Sequence, residues 1–244
     1  MKITRDIAQK VLKVVDAGLV KGIGNPVPGK MCVEAAVCYA LGLPHGDQPN
    51  CVGEAVRQFK IPLNDARWSS DEARTTGLRK LAVAQLGSDT IDQREFARLV
   101  AEGTIRQVLP EMLRRVAQRE AANHEEALRA AALRCEQEGT AEAALIARDS
   151  ALAAREASRA AFHCAAALFA AAASASAFAA SAFAAAASAS AGAYAASAAS
   201  AAYADYAASA ERDHILMISA NVGLQALITL KSPGAQFLDL CEGE

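Results

Sequence analysis

Residues 24–31 read GNPVPGKM, and a cysteine follows at position 32. The pattern G-x-x-x-x-G-K is that of a phosphate-binding loop, in which successive backbone N–H groups face the phosphates and a Ser or Thr after the lysine holds Mg²⁺. Here Pro26 and Pro28 remove two of those donors, and Met31 stands where the hydroxyl belongs. The segment before it has helical rather than strand periodicity. The reading that remains is a rigid Pro/Gly turn leading into a buried helix.

Cys32 offers a second chemistry. A thiol at a helix N-terminus has its thiolate favoured by the helix dipole. A thiol nucleophile also requires a base and a group that orients the base. His45 and Asp47 follow within one loop, so Cys32, His45 and Asp47 form a candidate hydrolase set. The run GKMCVEAA resembles the helix-initial cysteine of papain-like and peptide-cleaving transporter domains. In those families the histidine comes from a later sheet, and this chain shows no sheet pattern. A third chemistry is metal ligation by Cys32, Cys38, His45 and Cys51, spaced C-x5-C-x6-H-x5-C. Zinc sites place paired ligands two to four residues apart, and Cys32 and Cys38 would sit ~120° apart on one helix. Trp68, the lone tryptophan, is either an interface anchor or the apolar residue stapling a capped helix.

The elements that must position these residues read as helices throughout. Ile7, Val11, Leu12, Val15 and Leu19 recur at helical spacing. Residues 31–41 are apolar almost all round and are expected to be buried. Ser69-x-x-Glu72, Thr90-x-x-Gln93 and Asn123-x-x-Glu126 have the capping-box spacing, and Gly87 and Gly139 offer left-handed stops. Pro110 forces a kink or break. Arg114, Arg115, Arg119, Arg129 and Arg134 are interleaved with glutamates, the mark of a solvated face laced by ion pairs.

Beyond residue 140 the composition changes. Between Ala161 and Ala210, 30 of 50 residues are alanine, and no Asp, Glu, Lys or Arg occurs from Ala160 to Ala204. Alanine is the strongest helix former, so a helix is expected. The motif FAAAASASA occurs at 169–177 and again at 183–191. At ~100° per residue, Phe162, Phe169, Phe183 and Tyr194 share one side, with Phe178 and Tyr203 opposite, and all six are expected to pack against neighbouring helices. One straight helix would span ~68 Å, against a radius of gyration of ~18 Å for a compact chain of this size. A hairpin near Ser188–Gly192 is preferred to a single rod. Alanine and serine give little drive for membrane insertion, so no membrane span is expected. The apolar run 214–230 reads as a core helix.

The expected architecture is all-α: a mixed-sequence helical domain over 1–139, an alanine-rich bundle completed by the C-terminal helix over 140–235, and a fraying tail over 236–244. Lys+Arg number 25 and Asp+Glu 27. Such balance leaves no footprint for a phosphate backbone, so no nucleic-acid partner is expected. The first residues lack an unbroken apolar run, and six cysteines then fit free thiols in the cytoplasm. The runs FKIPLNDARWSSDEARTTGLRKLAVAQLGS (59–88) and CEQEGTAEAA (135–144), followed by the alanine tract, resemble uncharacterised alanine-rich all-helical bacterial proteins, some labelled toxin-immunity proteins. That resemblance implies no catalytic residues and no cofactor. The functional expectation is a non-enzymatic binding or inhibitory module, of the immunity or counter-defence type, that presents a helical surface to a protein partner. The alternatives are the cysteine hydrolase and a protein that self-assembles into homo-oligomers through alanine faces.

Overall fold

The computed structural model of the chain describes residues 1–118, 122–157 and 209–242. Within them the fold is all-α, and pairing between extended segments is limited to isolated bridges from Met31 to Leu19 and Gly24. The helices are α1 (Arg5–Asp16), α2 (Val33–Ala40), α3 (Glu54–Asp65), α4 (Asp71–Ala84), α5 (Gln93–Gly103), α6 (Leu109–Ala117), α7 (Ala122–Glu138), α8 (Ala141–Ala157) and α9 (Ser209–Thr229). The alanine tract and its aromatic positions Phe162, Phe169, Phe178, Phe183, Tyr194 and Tyr203 lie outside the described residues.

Helix α9 is the axis of the core. It packs against α3, α4 and α5, and Ile215, Leu216, Ala220, Val222, Ala226 and Leu227 are all buried. Two glycines let it approach closely. A Cβ at Gly223 would overlap the Phe59 ring, and one at Gly103 would stand 2.6 Å from Val222 Cγ1. Phe59 and Phe96 meet edge to face, centroids 5.9 Å apart and planes at 87°, the arrangement favoured by the aromatic quadrupole. One apolar cluster runs from Ile3 through Ala151 to Leu227, so it crosses position 139.

Several local expectations need correction. The cap of α4 is Ser70, whose hydroxyl accepts from Ala73 N at 3.1 Å. Ser69 is instead held by the Asp213 carboxylate of α9, which accepts from both its backbone N–H and its hydroxyl. The cap of α5 is Asp92, accepting from the Arg94 and Glu95 amides. Thr90 closes the preceding 3₁₀ turn, and Gln93 turns back to join Ser88 O to Ala55 N. Trp68 is no surface anchor: it is 5% exposed, and its indole N–H donates to Leu63 O at 2.8 Å. Its ring covers Gly77, beyond the first turn of α4, so it is not a staple either.

The break at Pro110 takes the form of a π turn over Thr104–Val108. Proline offers no N–H to the carbonyl four residues back, and its ring crowds that carbonyl. The wider turn relieves the crowding, with Leu109 N bonding to Thr104 O. Arg106, in this turn, donates to the carbonyls of Glu136, Gln137 and Glu138. A cation thus closes the negative end of α7, and Gly139 follows at φ +63°. The arginine stripe forms the expected pairs, Arg115–Glu111, Arg129–Glu125 and Arg134–Glu138 at i,i+4 spacing, with Arg114–Glu136 joining α6 to α7. Through residue 242 the tail expected to fray packs on the body. Pro233–Cys241 forms a 3₁₀ segment against α4, fastened by Arg5–Asp239 and by Arg79 donating to Cys241 O.

Candidate functional site

The GNPVPGKM segment folds into a closed turn whose amides bond inward. Asn25 N donates to Lys30 O, Lys30 N to Val27 O and Val27 N to Asn25 O. Gly24 has φ +69°, and any side chain there would overlap the Lys30 carbonyl. Three of the amides a phosphate would need are therefore already engaged. The C-terminal end of α3 and the start of α4 hold the surrounding loop. Asn64 accepts from Val33 N and donates to Val20 O, Asp65 accepts from Gly22 N, and Thr75 accepts from Leu19 N.

Cys32 is the N-cap of α2, as its position implies, and its Sγ accepts from Ala35 N at 3.4 Å. The thiol is buried, and burial pushes it above its ordinary range; the Glu34 charge adds to that, while the Ala35 amide opposes it. The dipole's help is outweighed by desolvation. The expected partners are engaged elsewhere: His45 Nε2 donates to Gly24 O at 3.1 Å, and Asp47 lies 3.7 Å from Arg57. Cys32 and Asp47 line one cavity, whereas His45 lines a different depression with Asp47 and Cys38. The metal set does not assemble either. Among the described residues no three His, Cys, Asp or Glu side chains converge as ligands, so Cys32, Cys38, His45 and Cys51 are corrected to separate positions. Burial pushes the Cys38 thiol up to about 11 and that of Cys51 upward as well.

Beside Cys32 stands a buried charged pair that belongs to no sequence motif. Glu34 of α2 and Lys60 of α3 form an ion pair, 2% and 0% exposed. Burial pushes the Glu34 carboxyl up and the Lys60 amine down, and their mutual attraction opposes both shifts. Beyond each other, neither group has a hydrogen-bond partner among the described residues. They line a cavity of about 50 Å³ that reaches Gly22, Ile23 and the half-exposed Asp47. The signal was present. Val56, Phe59, Lys60 and Leu63 share one helical stripe, and Glu34 is the lone charge within the apolar run 31–41. A charge in a core position is a stronger marker than a motif match.

A second concavity lies between α4 and α9. It encloses about 470 Å³, with Leu81, Ile218, Ala220 and Leu224 along its apolar side and Met217 on its edge. Met217 is 48% exposed, and Ile228, three helical turns further along α9, is 40% exposed. Arg79, Lys80 and His214 form the rim. Arg79 is bound to Asp16, Lys80 lies 3.8 Å from Glu242, and His214 lies 3.4 Å from Glu111. Among the described residues no helix is long and apolar enough to cross a membrane. The chain matches no family model, no curated protein and no solved structure.

Proposed function

We propose that the protein is a non-enzymatic binding or inhibitory module whose contact surface is the groove between α4 and α9. The observation that carries this reading is one exposed methionine, Met217, beside a groove that α9 lines with Ile218, Ala220 and Leu224. Helix α9 buries Leu216, Val222 and Leu227 on its inner side and leaves Met217 to water beside the groove, next to the polar His214 and Asn221. Methionine suits such a surface, because its unbranched thioether adapts to differently shaped partners. The rim favours an acidic partner. The Lys80–Glu242 pair is long and exposed, and a pair of that kind is worth about 0–1 kcal/mol. A partner carboxylate can replace Glu242 at small cost. The occupant is therefore a partner protein's segment with apolar anchors bordered by Asp or Glu. An immunity or counter-defence role, as the family resemblance implies, fits such a surface. The thiol-hydrolase reading gains nothing from the geometry, since Cys32, His45 and Asp47 each have other bonds.

The test compares the wild-type chain with Met217→Asp and Lys80→Glu as baits in extract of the source cells. The expected result is one stoichiometric partner held by the wild type and released by both variants, with melting temperatures unchanged. An eluate identical for all three baits would refute the groove.

A further inference from the structure

The Glu34–Lys60 pair is costly as a structural device. Removing two ions from water costs several kcal/mol each, and one mutual contact offsets this only when the remaining hydrogen-bonding capacity is also satisfied. Here it is not: the carboxylate oxygens and the ammonium have no further partner, and both line a cavity that leads to the surface. The charged and titratable groups around them are Cys32 on α2, Cys51 before α3, and Asp47, Arg57 and Asp65 at the margins. Unsatisfied N–H and lone-pair sites in one small cavity suit an occupant that is both donor and acceptor, or one that reacts with the amine.

We propose that Lys60 is a carbonyl-condensing amine, with Glu34 as its proton shuttle, and that the cavity admits a small uncharged aldehyde. The carboxylates of Asp47 and Asp65 at the cavity margin disfavour a ligand bearing its own carboxylate, and about 50 Å³ restricts it to a few heavy atoms. A buried lysine is held towards the neutral amine, the nucleophilic form, and a buried carboxyl towards the acid, the proton-donating form. The Nζ lone pair attacks the carbonyl carbon, and the carbonyl oxygen takes the Glu34 proton. The nitrogen then returns a proton to the Glu34 carboxylate, leaving a neutral carbinolamine. Glu34 protonates the hydroxyl, water departs as the C=N bond forms, and the iminium proton goes back to Glu34. The net change is amine plus aldehyde to imine plus water.

Acetaldehyde with sodium cyanoborohydride at pH 6 traps the imine as an ethylated lysine, located by peptide mass mapping. Ethylation at Lys60 at least ten times that at any of the seven other lysines is expected. Unfolding in guanidinium should abolish the preference. Glu34→Gln should slow trapping on the order of 100-fold, the usual weight of general acid–base assistance. Native protein ethylated at its other lysines as readily as at Lys60 overturns the proposal. So does a preference that survives denaturation. Should Glu34→Gln not fold, the native-against-denatured comparison decides alone.

Discussion

Replacing Lys60 alone by methionine removes the counter-charge of Glu34 inside the core. The two side chains are 0% and 2% exposed, so neither can turn to solvent for relief. Breaking a buried pair from one side costs about 3–5 kcal/mol, whereas replacing both partners by apolar groups of similar size is often neutral or stabilising. A chain of this length loses roughly 2–4 °C of Tm per kcal/mol. Lys60→Met should therefore melt roughly 10 °C below wild type, and Glu34→Met/Lys60→Met within a few degrees of it or above. The single variant also gains a pH signature. Without Lys60, burial holds the Glu34 carboxyl further above its ordinary range, so the folded state keeps a proton that the unfolded chain releases. Stability is then fully present below the unfolded value and falls as pH rises through the raised one, making Lys60→Met less stable at pH 8 than at pH 5. Calorimetry of the wild type, both singles and the double at the two pH values measures this. A single variant as stable as wild type, or a double no better than either single, would refute the reasoning.

Trp68→Phe removes the indole N–H that serves Leu63 O and should cost about 1–3 kcal/mol, an acceptor being left buried; chemical denaturation reads it. Iodoacetamide at pH 8 should leave Cys32 unlabelled in the folded chain, because a raised thiol has less thiolate there than an ordinary one. Rapid native labelling would contradict the burial argument. Arg106→Ala should free three carbonyls at the end of α7, and hydrogen exchange should quicken at the last turn of α7 while α4 and α9 are unaffected.

The fold class and the core role of α9 could be read from periodicity and composition, because both follow from single-helix physics. The stops at Gly87 and Gly139 were legible for the same reason: both take positive φ. Caps were legible only to within a residue or two. Ser69 and Ser70 are equal candidates locally, and a contact 144 residues away, from Asp213, decides between them. Thr90 yields to Asp92 because Gln93 is drawn back to Ala55 and Ser88. Motif spacing misled at the site. GNPVPGKM matches a nucleotide pattern by composition, yet its amides close on themselves. The informative residues were the misplaced charges Glu34 and Lys60, which lie 26 positions apart in the chain and match no motif. Their pairing depends on how α2 and α3 dock, and single-helix periodicity carries no such information.

A photo-cross-linking residue placed at position 217 of the full chain, with a second placed at position 133 as an equally exposed control, tests the groove most directly in the source cells. One adduct of defined mass is expected at 217, containing a protein other than this chain, and none of that mass at 133. The same adducts from both positions, or an adduct at 217 with twice the chain's own mass, would contradict it.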